Sequence, residues 1–219
     1  MIFRRAPLAI FFAAMALAPG GLALAQPSAE LGSDGEPALA VQPAPEPSAQ
    51  PQSPAEEAAL RQTRLDSLFA RLVLPESETA ERDQQEIWAL WSQSGSPSMD
   101  LLLGRASKAM EDEDYDQAMR FLNDLVRLAP DFAEGWNKRA TLYFLRAEFG
   151  KSVADIQRTL ALEPRHFGAI SGLGIILERL GDKTGAMKAY QRGLEINPHL
   201  PNAQEAIKRL APDVEGRPL

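Results

Sequence analysis

The sequence predicts an all-α domain built from repeated helix hairpins, and three observations carry that prediction. Apolar residues recur at intervals of three and four throughout residues 55–210, and no segment of useful length alternates apolar and polar at period two. Pro130, Pro164 and Pro198 each follow a helix-like run and stand 34 residues apart. A fixed period of that size means that one two-helix unit recurs, each copy burying its apolar face against the next.

Cutting the chain at 99–132, 133–166 and 167–200 puts two helices in each block, with breaks near Asp114, Gly150 and Gly181. First helices present Leu102, Ala106 and Ala109, then Trp136, Ala140 and Tyr143, then Ile170, Leu173, Gly174 and Leu177. Second helices read Ala118-x3-Leu122, Ser152-x3-Ile156 and Ala186-x3-Tyr190, each followed eight residues later by its proline. On these residues the chain resembles the tetratricopeptide repeat family, whose pattern runs W-x2-L-G-x2-Y, then A-x3-F, then P. The resemblance implies an antiparallel helix-hairpin solenoid of about three repeats with flanking helices. Arg139 departs from the pattern, standing where leucine is usual, and Ser152 stands where alanine is. The small residues Ala106, Ala140 and Gly174 let each first helix approach its partner, and larger neighbours fill the space between.

Residues 55–98 read as a preceding hairpin, either a degenerate repeat or an independent one. Ser53-Pro54-Ala55-Glu56 is a helix-start signal, a hydroxyl cap followed by proline at the first helical place and a glutamate placed for a capping box. Leu60, Leu65, Leu68, Phe69 and Leu72 then form one stripe, which Pro75 ends. A second helix starts among the acids Glu76, Glu78 and Glu81 and runs through Ile87, Trp88, Leu90 and Trp91 to Ser94-Gly95. After the last repeat, residues 201–211 form a capping helix. Ala203, Ala206, Ile207 and Leu210 face inward, and Gln204, Glu205, Lys208 and Arg209 face water.

Residues 1–25 read as a secretory signal. Arg4 and Arg5 precede an apolar run from Ala6 to Ala18, and Ala23-Leu24-Ala25 gives an A-x-A cleavage site before Gln26. An uncleaved anchor is the alternative, but the run is shorter than a bilayer span and Pro19-Gly20-Gly21 interrupts it. Export to the periplasm is the expectation, with extracellular release as the other outcome, and no stable membrane span is expected after cleavage. Residues 26–54 hold seven prolines in 29 residues, with only Leu31, Leu39 and Val41 as larger apolar side chains. Such a segment cannot offset its chain entropy by burial, so it predicts a disordered linker or tether.

Composition removes several chemistries. The chain has 219 residues and no cysteine, which excludes disulfides, zinc knuckles, thiol nucleophiles and iron–sulfur clusters. Its formal charge of −7 argues against a nucleic-acid partner, because a duplex binder needs a positive face. Asp112, Asp114 and Asp116 alternate as at the start of a calcium loop, but Gln117 replaces the turn glycine and Asn123 the closing acid. His166 and His199 follow two of the repeat prolines without Cys or carboxylate partners at ligand spacing. Gly172-Leu173-Gly174 lacks the strand and third glycine of a phosphate loop, and Ser171 lacks a nucleophile-elbow context. The sequence therefore predicts no enzyme, no metal and no cofactor.

What remains is a surface. The resemblance implies a concave side lined by first helices. Adjacent to the packing stripe lie Leu103, Ser107 and Met110, then Asn137, Lys138, Thr141 and Phe144, then Ser171, Ile175 and Glu178. These residues are the candidate groove for a protein or peptide partner, with Asn137 offering a backbone hydrogen bond, Lys138 a charge and Phe144 an apolar contact. The family's Lys/Asn/Arg clamp for a terminal carboxylate is not reproduced, since Leu103 and Ser107 occupy the first block's places. The expected function is that of an exported scaffold or adaptor. The alternatives are a self-associating structural protein, using the tryptophan-bearing hairpin or the end repeat, and a non-catalytic subunit of an envelope enzyme.

Overall fold

A computed structural model describes residues 53–214 and Gly216, which lie in a unit running from Pro47 to Leu219. Residues 1–52, including the expected signal and nearly all of the expected linker, lie outside the described residues. The described chain is helical throughout: α1 (Pro54–Leu72), α2 (Ala80–Trp91), α3 (Pro97–Glu111), α4 (Tyr115–Leu128), α5 (Ala133–Leu145), α6 (Phe149–Leu162), α7 (Phe167–Arg179), α8 (Lys183–Ile196) and α9 (Pro201–Val214). Consecutive helices from α3 to α9 pack pairwise, giving three stacked hairpins closed by α9. The solenoid named by the resemblance is the observed architecture.

The repeat period is visible in the backbone itself. Glu113, Ala147 and Gly181 all take positive φ, at 58°, 57° and 84°, so the turn inside each hairpin uses a left-handed residue at the same repeat position. The next residue caps the second helix. Asp114 and Asp182 accept backbone N–H bonds from Gln117 (3.1 Å) and Gly185 (2.8 Å), which makes the alternating aspartates a turn and cap. Glu148, one methylene longer, makes no such cap bond and pairs with Lys151 and Arg146 instead.

Each hairpin buries its small-residue contact. Ala106, Ala118 and Leu122 share the first core, Ala140 and Ile156 the next, and Ala186 and Tyr190 the last, where Ala203, Ala206 and Leu210 of α9 seal the end. Both departures from the family pattern have partners. Arg139 forks onto Asp155 at 2.7 and 2.9 Å, and the Ser152 hydroxyl donates to the Ala140 carbonyl at 2.7 Å. Each satisfies a polar group that burial would otherwise leave stranded.

Of the two forms expected of the first hairpin, its packing is unlike that of a degenerate repeat. Its two helices are tied by Arg64 to Glu86 (2.6 and 2.9 Å) at the surface and by Arg71 to the buried Asp83 (3.1 and 2.7 Å), and Leu60 stands exposed outside the stripe. A degenerate repeat in front of α3 would share its core with α3. Leu65, Leu68, Phe69, Leu72, Ile87 and Trp91 instead share a core with Phe167, Ile170 and Ile196 of the third repeat. The tryptophans are therefore turned inward, which removes the exposed patch on which self-association through this hairpin relied. The reason is shape, since glycine at 168 admits an indole where the matching positions, Asp100 and Glu134, carry acids.

Candidate functional site

Two neighbouring surfaces hold the chemistry of this chain, the first-helix column and the junction where α1–α2 docks. Along the column the ten candidate residues divide by burial. Leu103, only 5% exposed, belongs to the core of the first hairpin, and Asn137, 7% exposed, is committed to an internal bond. Both are corrected as contact residues, because neither offers a surface to a ligand. Ser107, Met110, Thr141, Phe144 and Ser171 are partly exposed, and Ile175 is 39% exposed. The Thr141 hydroxyl donates to the Asn137 carbonyl at 3.1 Å, and Phe144 packs on Phe149 with the Arg179 guanidinium 4.9 Å from its ring centre. Glu178 is engaged by Arg209 of α9 and by the Tyr190 hydroxyl, which holds its carboxyl below the usual range, the Arg209 hydrogen bond first. Lys138 lies 3.8 Å from Glu134, which diverts its charge from a ligand.

Asn137 is buried because it belongs to a polar cluster that crosses two repeats. Glu134 is fully enclosed, and its Oε2 accepts from the Asn137 amide at 3.0 Å and faces His166 Nε2 at 3.1 Å. The other imidazole nitrogen, Nδ1, accepts the Ala169 backbone N–H at 3.1 Å and so caps α7. With Nδ1 as acceptor, Nε2 carries the proton and donates to Glu134. His166 is thus a positioned structural group. Its ring lies flat on Trp91, 4.1 Å between centroids at 9°, with Trp88 edge-on at 5.4 Å.

Trp88 reaches α7 where there is no side chain to meet it. A Cβ built at Gly168 would stand 2.4 Å from Trp88 Cη2, so glycine is required there by close approach. Phe167 completes the aromatic set, 5.5 Å from Trp88 and 5.1 Å from Trp91. Around it Arg165 bonds Asp66 at 2.7 Å and covers the Phe69 ring, and His199 Nε2 donates to the Leu74 carbonyl at 2.9 Å. This junction is absent from the sequence prediction. Gly168 inside the first turn of a helix was its one legible signal, since a helical glycine often marks a close approach.

No group of three or more His, Asp or Glu side chains suited to a metal occurs among the described residues, nor a helix long and apolar enough to cross a membrane. An open cleft between α3 and α4 is lined by Arg105, Lys108, Asp112 and Gln117, and its Lys108 and Asp112 are paired with each other.

Comparison with known proteins agrees with this architecture. The tetratricopeptide repeat family model matches residues 169–200, and a TPR repeat-containing protein of Rhizobium etli is 41% identical over 154 residues, covering 70% of this chain and 76% of that protein. The chain belongs to the tetratricopeptide repeat family. Within that family, the small glutamine-rich tetratricopeptide repeat-containing protein 2 of Saccharomyces cerevisiae is 29% identical over 105 residues, covering 48% of this chain and 30% of its own length. The heat-shock cognate co-chaperone sgt12 of Aspergillus fumigatus is 24% identical over 135 residues, covering 62% of this chain and 39% of its own. This tetratricopeptide repeat chain therefore spans well under half the length of those two relatives. Among solved structures, the first such domain of Spaghetti (RPAP3), bound to the Hsp90 peptide SRMEEVD, superposes with a TM-score of 0.52 at 22% identity, over 54% of this chain and 94% of that one. Members of the family are generally non-catalytic interaction scaffolds.

Proposed function

We propose that this tetratricopeptide repeat chain is an exported adaptor that captures a peptide or helix of a cell-envelope protein along its first-helix column, without chemical change. One observation carries the reading. Ser107, Thr141 and Ile175 stand at 34-residue intervals, on α3, α5 and α7 in turn, and each keeps solvent exposure directly after a buried small residue, Ala106, Ala140 or Gly174. A ligand laid along that column touches three repeats at once, with Phe144 and Arg179 beside it as an apolar contact and a cation. The relative from A. fumigatus is a co-chaperone, and the RPAP3 domain is bound to an Hsp90 peptide, which supports peptide capture as the mode. Export rests on the signal pattern at residues 1–25 and its Ala-x-Ala site. The Pro-rich segment that follows acts as a tether.

The test is in-cell photo-cross-linking of tagged wild type and of a Ser107→Glu/Ile175→Glu variant, followed by mass spectrometry of captured proteins. Both sites are on the surface, so the variant keeps its helix content by circular dichroism. A partner captured by wild type and lost from the variant supports the column; equal capture overturns it. Edman sequencing of the purified mature chain checks export, with Gln26 as the expected first residue. The accessory-subunit reading predicts an enzyme among the captured proteins.

A further inference from the structure

We propose that the junction formed by Arg165, His166, Phe167 and Gly168 is a receptor for a helical hairpin presenting tryptophans at i and i+3, and that α1–α2 fills it as a detachable ligand of its own chain. A partner helix with the same aromatic spacing would enter when α1–α2 leaves. This goes beyond the column reading, because the receptor sits at the first turn of α7 and its test needs no client.

The receptor is shaped for its occupant in a way the other repeats are not. The position matching Gly168 is Asp100 in the first repeat and Glu134 in the second, and neither leaves room for an indole. His166 is fixed in tautomer and orientation by Ala169 and Glu134, so the face on which Trp91 stacks is held ready whether or not Trp91 is there. Aromatic anchors in pre-formed pockets supply most of the free energy in such contacts.

The occupant is built to move as one piece. Two internal ion pairs, Arg64 with Glu86 and Arg71 with Asp83, hold α1 to α2 independently of the repeats. The polar ties across the junction, an ion pair from Asp66 to Arg165 and the Leu74 carbonyl to His199, are exposed, as is Arg64–Glu86, whereas Arg71–Asp83 has its carboxylate buried. A short linker, 92–96, joins the hairpin to α3 and contains Gly95 at φ 84°.

Closure also strands polar atoms. Trp91 Nε1 and Asn197 Nδ2 are buried side-chain donors without a hydrogen-bond partner, and Trp91 is only 7% exposed. Trp91 belongs to the docked face, and Asn197 directly follows Ile196 of the same core. Opening would return the indole N–H to water, which offsets part of the apolar area lost. A docked element with a stranded donor and exposed polar ties is the kind of unit that opens below the free energy of global unfolding.

The experiment combines hydrogen exchange with binding of a labelled synthetic peptide spanning residues 53–93. In wild type, amides of α1–α2 should exchange about 10-fold or more faster than those of α5–α8. Gly168→Ala, which favours the α7 helix while displacing Trp88, should speed exchange in α1–α2 alone. The peptide should bind a Trp88→Ala/Trp91→Ala protein about 10-fold or more tighter than wild type, whose site is filled, and adding Gly168→Ala should abolish that binding. Exchange of α1–α2 only in concert with α5–α8, or equal peptide affinity for wild type and the double variant, overturns the proposal.

Discussion

Arg139 lays its guanidinium on the carboxylate of Asp155, with Nε and Nη2 at 2.7 and 2.9 Å, inside the α5–α6 hairpin where the family pattern has leucine. Asp155 is buried and Arg139 nearly so, with the Trp136 ring 4.9 Å from the guanidinium centre. Restoring the family residue by Arg139→Leu leaves a buried carboxylate unpaired, and should cost about 3–5 kcal/mol in urea unfolding. Arg139→Leu with Asp155→Leu should recover most or all of that loss. A single change as mild as the double would show that the pair contributes nothing.

Gly174 and Tyr190 form a matched pair in the third repeat. The earlier hairpins combine alanine with Leu122 or Ile156, whereas here a Cβ at 174 would stand 2.6 Å from the Tyr190 ring. Gly174→Ala should lower stability by about 1–2 kcal/mol, overpacking outweighing the helix-propensity gain. Combined with Tyr190→Leu, the two changes should be non-additive by about 1 kcal/mol in a double-mutant cycle, alanine being tolerated once the ring is gone. Strict additivity would contradict the packing described.

The left-handed turns predict stabilising changes. Glu113 and Ala147 adopt positive φ with a side chain, which costs about 1–2 kcal/mol, less the extra unfolded-chain entropy of glycine. Glu113→Gly and Ala147→Gly should each raise the thermal midpoint by about 1–4 °C. Gly181→Ala should lower it, although nothing lies within 4 Å of the added Cβ. That contrast separates backbone strain from crowding.

Acid should loosen the first hairpin, which stays closed at neutral pH. The Arg71 hydrogen bond, with Thr79 assisting, holds the fully buried Asp83 carboxyl below its ordinary value of 3.8, and Arg64 does the same for Glu86. A depressed folded value contributes stability that is complete above the ordinary value and is lost as pH falls through the folded one. Tryptophan fluorescence and exchange of α1–α2 should therefore hold from neutral pH down to about 5 and change below about 4. Asp83→Asn should cost about 1–3 kcal/mol at pH 7 and flatten that acid response.

How much of this was legible in the sequence follows from the range of each interaction. The helix pairs, their spacing and the small residues between them depend on neighbours within one 34-residue unit, and a period exposes them. Asn137 reads as a surface group because its residue type usually is one; its bond to the buried Glu134, which faces His166 from the next junction, draws it inside. Leu103 belonged to the packing stripe that adjoins the groove, and a shift of one residue around a helix decides between the two. The docking of α1–α2 left no periodic trace, since it joins residues that no repeat relates.

That docking also fixes an order of events in making the protein. A solenoid closes contacts between nearest neighbours, each complete as soon as the next helix is added. Here Asp66 waits for Arg165, 99 positions later, and Leu74 waits for His199, 125 positions later. Trp88 and Trp91 wait about 80 residues for His166, Phe167 and Gly168, so at about 5–20 residues per second of synthesis the tryptophan face stays bare for roughly 4–16 s after it is made. The segment first to be finished is thus the last to be sheathed, so nascent chains need a holdase or rapid handover most while α3 to α7 are still being added.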